Sequence, residues 1–214
     1  MDNILLHKPS DIIKSNLIKF YNQDAKRRNE SEKQEWKLTF RKAFCDIVLN
    51  ENKKTLLELG AGAGYDSVFF QEQGFDVIAI DLSGDMVELC INKGISAYVL
   101  DFYNLFSIGK KFDCIWAMNS LLHVPKSEIK DVLYTIDSVL NEDGLFYMGV
   151  YGGRDSEDEF VNEVSDIPRF FSFYTEESLL NVLQDVFYIL DFKQILVENG
   201  LTYQSVIMRK NPHA

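Results

Sequence analysis

Short apolar runs and helical apolar periods alternate along most of this chain. Runs at residues 55–59, 75–80, 95–100, 112–119 and 145–151 have the length of strands buried on both faces of a sheet. Between them, apolar residues recur at helical spacing, most clearly at 126–140. Strands alternating with helices predict an α/β fold with a doubly wound, mostly parallel sheet.

The two ends of the chain depart from this alternation. Residues 10–49 predict two helices, the first capped by Ser10 and Asp11, with the polar stretch 22–33 as a spacer between them. Residues 188–197 and 201–208 predict an antiparallel hairpin closed by a two-residue type I′ turn at Asn199 and Gly200. We expect one domain over residues 1–214, with a helical cover at 1–50 and a core at 51–214.

The segment from 154 to 173 lacks a clear apolar period. It is the longest stretch that we predict to be irregular, and loops of this length in compact domains are usually lids, binding loops or disordered segments. Arg154 and Arg169 flank it and are candidates for holding an anionic substrate, or for surface ion pairs. Several aromatic residues point to an apolar or aromatic substrate or to ordinary packing: Trp36, Tyr151, Phe170, Phe171 and Phe173.

A glycine-rich turn follows the first predicted strand, as Gly60-Ala61-Gly62-Ala63-Gly64, and a helix is predicted from about Tyr65. A buried strand, a glycine turn and a helix are the parts of a nucleotide-binding crossover. Glycine permits positive φ and leaves room for a ligand to approach the backbone. A tight turn that binds nothing would have the same pattern, so the turn alone leaves both interpretations open.

Acidic residues stand at the ends of three successive predicted strands: Glu58, Asp81 and Asp101. Ligands of open α/β sheets bind at such strand ends. Asp81 would accept both hydroxyl groups of an adenosine ribose, or it would only cap the helix that starts near residue 83. Glu58 would repel a pyrophosphate and suit a cationic ligand. Tyr65 stands where the dinucleotide fingerprint has its last glycine.

The stretch ELGAGAG at 58–64, together with the downstream acids, resembles motif I of the class I S-adenosylmethionine-dependent methyltransferases of the small-molecule type. The pattern L-x-H-V-P at 121–125 and the order FD, HVP, LNEDGLF are similar to the same family, as is Tyr21-x-x-x-Ala25 ahead of the turn. The resemblance implies a Rossmann-like seven-stranded sheet with a C-terminal antiparallel hairpin and N-terminal helices. It also implies S-adenosyl-L-methionine as cofactor.

The resemblance further implies which residues form the cofactor site. The set is Tyr21, Glu58, Gly60, Ala61, Gly62, Gly64, Asp81, Leu82, Met86, Asp101, Phe102, Asn119, Ser120 and Leu121. His123 is the candidate general base because histidine titrates near neutrality, although a role as a wall of the pocket is an equal alternative. Tyr21 is the second catalytic candidate, since the family's tyrosine borders the transferred methyl group; ordinary packing is its alternative.

Net charge and composition restrict the classes of binding partner that we expect. A net charge of −11 and a pI near 4.7 disfavour nucleic acid and anionic membranes as partners. Cys45, Cys90 and Cys114 lack metal-ligand spacing and are expected to be free, buried thiols, so we predict no metal and a cytoplasmic location. We expect a small-molecule methyl acceptor and a monomer or homodimer. An NAD-dependent oxidoreductase and a non-catalytic S-adenosylmethionine-binding protein are the alternatives.

Overall fold

The computed structural model describes residues 9–162, 165–197 and 200–212. Six α-helices are found in this part of the chain: α1 Pro9–Glu30, α2 Glu35–Asn50, α3 Tyr65–Glu72, α4 Gly84–Asn92, α5 Ile129–Ser138 and α6 Glu176–Gln184. The strands are β1 Thr55–Leu59, β2 Asp76–Asp81, β3 Ser96–Val99, β4 Phe112–Met118, β5 Leu140–Gly152, β6 Ser156–Asn162, β7 Ser165–Phe173, β8 Phe187–Leu196 and β9 Thr202–Lys210. Short 3-10 turns occur at Leu105–Ile108 and Leu121–His123.

Seven of these strands form one sheet in the order β3-β2-β1-β4-β5-β9-β8. Strands β3, β2, β1, β4 and β5 run parallel to one another. Strand β9 runs antiparallel to both β5 and β8. This is the predicted Rossmann-like, mostly parallel sheet with a C-terminal antiparallel pair. The strand order reverses between β1 and β4, and a crevice opens at the carboxyl ends of strands at such a switch point.

Both faces of the sheet are buried, which explains the continuous apolar runs. On one face Leu57, Ile115 and Phe146 pack in a core with the apolar stripes of α5 and α6. On the other face Leu56 and Trp116 belong to a second core with α2, α3 and α4. Alternate residues of each strand point to opposite faces, so each strand packs against helices on both sides. This packing holds the strand ends in fixed positions.

The polar stretch 22–33 is helical as far as Glu30, so the interpretation of it as a spacer between apolar helices is wrong. Asp24 is buried in α1 and accepts hydrogen bonds from Arg27 and Arg28, one helical turn further on. Such pairs at three- and four-residue spacing stabilise a helix that lacks an apolar stripe. The helix therefore extends past the last residue of its apolar pattern.

The prediction that residues 154–173 are irregular is also wrong, because strands β6 and β7 pair there as an antiparallel hairpin. Its aromatic rings pack on one face: Phe160 lies 5.5 Å from Phe171 and 6.0 Å from Phe173, between ring centroids. Cross-strand aromatic pairs stabilise hairpins, and here they outweigh the high charge of the segment. We call this element the β6–β7 hairpin.

Strand β5 begins before the apolar run at 145–151, and one predicted turn lies outside the described residues. Residues 141–144 belong to β5, where Asp143 keeps a positive φ of 58° and the pairing with β4 shifts register. The predicted type I′ turn includes Asn199, which lies outside the described residues. Cys45, Cys90 and Cys114 are free and buried, as expected. None of the described helices is long and apolar enough to cross a membrane.

Candidate active site

A cavity of about 410 Å³ lies over the switch point of the sheet, between the strand ends and α1. Most of the predicted site residues line it: Tyr21, Glu58, Gly60, Ala61, Gly62, Asp81, Leu82, Asp101, Phe102, Asn119, Ser120 and His123. Three do not line it and are buried instead, namely Gly64, Met86 and Leu121. The three strand-end acids thus meet at one cavity, as strand ends of a parallel sheet should.

The glycine turn uses its glycines in two different ways. Gly60 has a φ of +70°, and a Cβ there would lie 2.4 Å from the Cβ of Ser120, so close packing requires the glycine. Gly62 has a φ of +55° and nothing within 4 Å of its Cβ position, because that side opens into the cavity. Gly62 therefore leaves free space where a ligand would pass close to the backbone.

Asp81 closes β2 and is held by two backbone groups. The N–H of Gly62 donates to its Oδ2 at 2.9 Å and the N–H of Ser83 to its Oδ1 at 2.9 Å. The cap of α4 is Ser83, whose hydroxyl oxygen accepts from the N–H of Met86 at 3.1 Å. Ser83, and not Asp81, therefore caps α4. Burial raises the pKa of Asp81, against the opposing effect of the two backbone hydrogen bonds.

Asp101, at the third strand end, joins the sheet to α1. Lys14 donates to its Oδ2 at 2.9 Å, and Asn104 donates to its Oδ1 at 2.7 Å. Burial works to raise the pKa of Asp101, but the hydrogen bonds from Lys14 and Asn104 outweigh it and hold that pKa below its ordinary value. Lys14 also lies 4.0 Å from the ring centroid of Tyr103, so the first half of α1 is held over the cavity.

Glu58 and Asp66 form a buried pair of acids beneath the glycine turn. Burial, and next the charge of Asp66, raise the pKa of Glu58 to about 8, and the hydroxyl of Ser67 donates to its Oε2. Asp66 stays ionised, because Lys33 and Arg41 hold its pKa below the ordinary value in spite of burial. The pair thus carries one negative charge near neutral pH, where Glu58 alone was expected to be the anion.

Two buried polar atoms in the cavity wall have no hydrogen-bond partner among the described residues: Oδ1 of Asn119 and Oγ of Ser120. Asn119 also has a positive φ of 57°, which is uncommon for a residue other than glycine. Buried polar atoms without partners are costly in a folded protein unless a ligand satisfies them. With the open side of Gly62 and the acids at three strand ends, these residues fit an adenosine ligand that carries a cationic amino-acid end.

Tyr21 and His123 meet at the α1 side of the cavity. Nδ1 of His123 lies 2.6 Å from the carbonyl oxygen of Phe170, and Nε2 lies 2.7 Å from the hydroxyl of Tyr21. Burial lowers the pKa of His123 to about 4, so the ring is neutral at pH 7. A carbonyl oxygen only accepts, which places the proton on Nδ1 and leaves Nε2 to accept from Tyr21.

Among the cavity residues that were not anticipated from the sequence, five are charged and bear on the site: Lys14, Arg28, Lys33, Lys37 and Asp66. They stand on α1, α2, α3 and the connection after α1. No local motif marks them, because they reach the cavity only when the N-terminal helices pack against the strand ends. The high content of lysine and arginine at 26–42 was the single available signal.

Arg154 and Arg169, the candidates for holding an anionic substrate, do not line the cavity. Arg154 pairs with Asp158 at 3.0 Å on the surface. The guanidinium of Arg169 lies 4.4 Å from the ring centroid of Phe20, so it joins β7 to α1. Among the described residues, no three histidine, cysteine, aspartate or glutamate side chains are grouped as metal ligands would be.

Comparison with known proteins agrees with this geometry. Residues 26–186, well over half of the chain, match the family described as Methyltransferase domain. An uncharacterised methyltransferase of Alkaliphilus oremlandii (strain OhILAs) is 24% identical over 176 residues, covering 78% of this chain and 77% of that protein. The chain therefore belongs to the methyltransferase domain family, and it is a class I S-adenosylmethionine-dependent methyltransferase.

Solved structures share the fold at low identity. The 1,6-didemethyltoxoflavin-N1-methyltransferase of Burkholderia thailandensis, solved with bound 1,6-didemethyltoxoflavin and S-adenosylhomocysteine, is 22% identical with a TM-score of 0.73, covering 99% of this chain and 93% of its own. Magnesium protoporphyrin IX methyltransferase of Synechocystis PCC 6803, solved with bound SAM, is 15% identical with a TM-score of 0.69, covering 92% and 97%. The family assignment decides against an NAD-dependent oxidoreductase.

Proposed function

We propose that this methyltransferase acts on a small-molecule acceptor that enters the covered cavity and reacts beside Tyr21. The observation that carries the proposal is the cover itself. Ser10, Lys14, Leu17 and Tyr21 of α1 all line the cavity, so an acceptor must fit beneath the helix. A volume of about 410 Å³ lies within the usual range of small-molecule pockets.

The comparisons support a small acceptor. The two structural relatives described above are named for methylating 1,6-didemethyltoxoflavin and magnesium protoporphyrin IX, which are small molecules. The net charge of −11 works against a nucleic-acid acceptor, because its phosphates would be repelled. Both arguments favour the small-molecule class over macromolecular acceptors.

The cofactor site is assigned on the residues that fit it. S-adenosylmethionine, when bound, supplies a methyl group on a sulfonium for in-line displacement by the acceptor. We assign Asp81 to the ribose hydroxyls, Asp101 and Phe102 to the adenine, and the Glu58–Asp66 pair to the amino-acid end. Gly62 leaves room for the ligand, and Asn119 and Ser120 offer polar atoms without partners. The α1 helix excludes water from the reacting end of the cavity.

Tyr21 and His123 have different roles in this proposal. Tyr21 lines the cavity. We assign its hydroxyl a contact with the acceptor, so Tyr21 is the catalytic candidate. His123 fixes the direction of that hydroxyl, because its Nε2 accepts a hydrogen bond from the Tyr21 hydroxyl while its Nδ1–H donates to the carbonyl oxygen of Phe170. A histidine with a pKa near 4 is a weak base, so we assign positioning rather than full proton removal to His123.

The test is release of S-adenosylhomocysteine from S-adenosylmethionine in the presence of a panel of small-molecule acceptors. We expect turnover with at least one of them. Tyr21→Phe should lower kcat about tenfold or more while the Kd for S-adenosylhomocysteine stays within about twofold, since one hydrogen bond in the transition state contributes on the order of 1.4 kcal/mol. Turnover only with protein or nucleic acid would contradict the small-molecule proposal.

A further inference from the structure

Cations outnumber carboxylates at the end of the cavity that lies between α1 and α2. Asp24 is shared by Arg27 and Arg28, and Asp66 is shared by Lys33 and Arg41, so each of these two carboxylates faces two cations. Glu32 is a third carboxylate at this end of the cavity. The excess of cations is notable in a chain with a net charge of −11. Arg28 and Lys33 both line the cavity, so part of the excess positive charge faces the space that a ligand would occupy.

Lys37 adds a further ammonium group that lines the same cavity. Among residues 9–162, 165–197 and 200–212, no carboxylate lies within ion-pairing distance of its Nζ. Burial, and next the charges of Lys33 and Arg28, lower the pKa of Lys37 to about 8. A half-buried cation beside two others and without its own carboxylate is stabilised when an anion binds next to it.

The surroundings of Lys37 indicate what kind of anion would fit. Its Nζ lies 5.1 Å from the ring centroid of Trp36 and 5.8 Å from that of Tyr151. The Trp36 ring in turn lies 4.5 Å from Tyr203. These three rings do not line the cavity, so they hold the Lys37 side chain in place, and the ring of Tyr21 is one that does line the cavity. An aromatic ring in the lining, together with the Lys37 cation, suits a flat apolar group that carries a negative charge at one edge.

We propose that Lys37, with Arg28 and Lys33 beside it, forms an anion subsite for the acceptor, so that the acceptor is a small aromatic or conjugated molecule carrying a carboxylate or similar anionic oxygen group. The inference rests on the proposed function, because it names the class of acceptor for the same cavity. Arg28 lies 4.8 Å from the ring centroid of Tyr21, which brings the subsite close to the reacting end of the cavity.

A carboxylate reaches this cavity from two sources, the acceptor and the amino-acid end of the cofactor. The acceptor is the source that we propose, because in the described part of the chain Lys37 and Arg28 form no ion pair with Glu58 or Asp66, the residues assigned to the cofactor's amino-acid end. Lys33 pairs with Asp66 and so lies between the two sites, which makes an experiment that separates the two sources necessary. Comparing S-adenosylhomocysteine with 5′-methylthioadenosine, which lacks the amino-acid end, separates the two sources. If Lys37→Met weakens binding of the first about tenfold and leaves the second unchanged, the subsite serves the cofactor and the inference is overturned.

The main experiment is calorimetric titration of the S-adenosylhomocysteine-saturated protein with 4-hydroxybenzoate and with 4-hydroxybenzamide, which have nearly the same shape and differ in charge. The wild-type protein should bind the acid about tenfold more tightly, since a charged hydrogen bond contributes about 1.4 kcal/mol more than a neutral one. Lys37→Met should reduce the preference to within about twofold, and Lys37→Arg should retain most of it.

Lys42→Met is the matched control, because Lys42 lies on the same helix but is exposed and paired with Asp46. It should leave the preference unchanged, and the melting temperature of each variant shows whether it folds. Equal binding of the acid and the amide by the wild-type protein, or binding of neither, overturns the inference. Failure to bind S-adenosylhomocysteine at all would instead overturn the assigned cofactor site, and the inference with it.

Discussion

At the scale of single residues, the cavity is lined by backbone without a side chain and by buried polar atoms without hydrogen-bond partners among the described residues. Gly62 has no side chain where a Cβ would point into the cavity, and Oδ1 of Asn119 and Oγ of Ser120 are buried without hydrogen bonds. Asp81 has the opposite character, because two backbone N–H groups already fix its carboxylate. Fixed carboxylates and open backbone are how a protein holds a ligand without reorganising around it.

Gly62→Val should abolish binding of S-adenosylmethionine while the fold is kept, because the branched side chain would fill the space that the ligand occupies. Valine also strains a backbone with φ of +55°, so Gly94→Val is the control. Gly94 has a φ of +81° and open space at its Cβ position, and it lies in a turn away from the cavity. Calorimetry should show unchanged affinity for Gly94→Val; unchanged affinity for folded Gly62→Val would mean that the glycine turn is only a turn.

Asp81→Ala should weaken S-adenosylhomocysteine binding by about 2–4 kcal/mol, as the loss of two charge-assisted hydrogen bonds to ribose hydroxyls would. Part of this loss comes from the turn, because Asp81 also accepts from Gly62 and Ser83. Asp81→Asn keeps an acceptor oxygen for the turn and should lose less. The Kd from titration calorimetry is the measurement, and an unchanged Kd for Asp81→Ala would place the ribose elsewhere.

At the scale of elements, α1 and the β6–β7 hairpin meet beside the Tyr21–His123 pair. The carbonyl of Phe170 on β7 contacts His123, while Arg169 lies against Phe20 of α1. Ser165 of the hairpin donates to Oε1 of Gln23 at 3.3 Å. The two elements are joined to each other and to the Tyr21–His123 pair, so a movement of one changes the contacts of the other.

Both elements should become protected together when S-adenosylhomocysteine binds. We propose that they act as one cover. Lys14 and Tyr21 on α1 line the cavity, and Arg169 of β7 contacts Phe20 of α1. Hydrogen exchange followed by mass spectrometry should show slower exchange in peptides from 10–30 and from 165–173 on adding ligand. Protection of the glycine turn with no change in either peptide would show that the cover does not respond to the ligand.

At the scale of the whole molecule, Glu58 opposes the stability of the unliganded fold near neutral pH, unlike Asp66 and Asp101, whose pKa values are lowered. The pKa of Glu58 is raised from its ordinary value to about 8, so the stability contributed by its protonated form is complete below about pH 4.5 and is lost as pH rises through 8. A cationic ligand end reverses this preference, because it favours the ionised carboxylate. Stability and cofactor affinity should therefore change with pH in opposite directions.

The shift in melting temperature produced by saturating S-adenosylhomocysteine should consequently grow between pH 6.5 and 8. One proton released on binding changes affinity by at most about tenfold per pH unit. The pKa of His123 is lowered to about 4, so its contribution to stability falls only below pH 6.5, outside this window. Glu58→Gln should remove most of the pH dependence, and an equal dependence in that variant would assign the effect to another group.

The fold was largely predictable because buried parallel strands impose continuous apolar runs, and these runs place Glu58, Asp81 and Asp101 at neighbouring strand ends. The predicted sheet is confirmed. The secondary-structure prediction was wrong at the charged end of α1 and in the β6–β7 hairpin, where side-chain contacts outweigh local composition. A charged helix and a charged hairpin both lack the apolar period on which the prediction depends.

The sequence by itself determined the strand-turn-helix order, the glycine turn and the acids at three strand ends, since each of these follows from residues close together in the chain. Only the tertiary structure decided that Asp66 and not Glu58 is the ionised acid, because Lys33 comes from the connection after α1 and Arg41 from α2, both far from Asp66 in the sequence. It also decided that Lys37 reaches the cavity. Electrostatic surroundings depend on distances between elements, and no local spacing in the sequence encodes those distances.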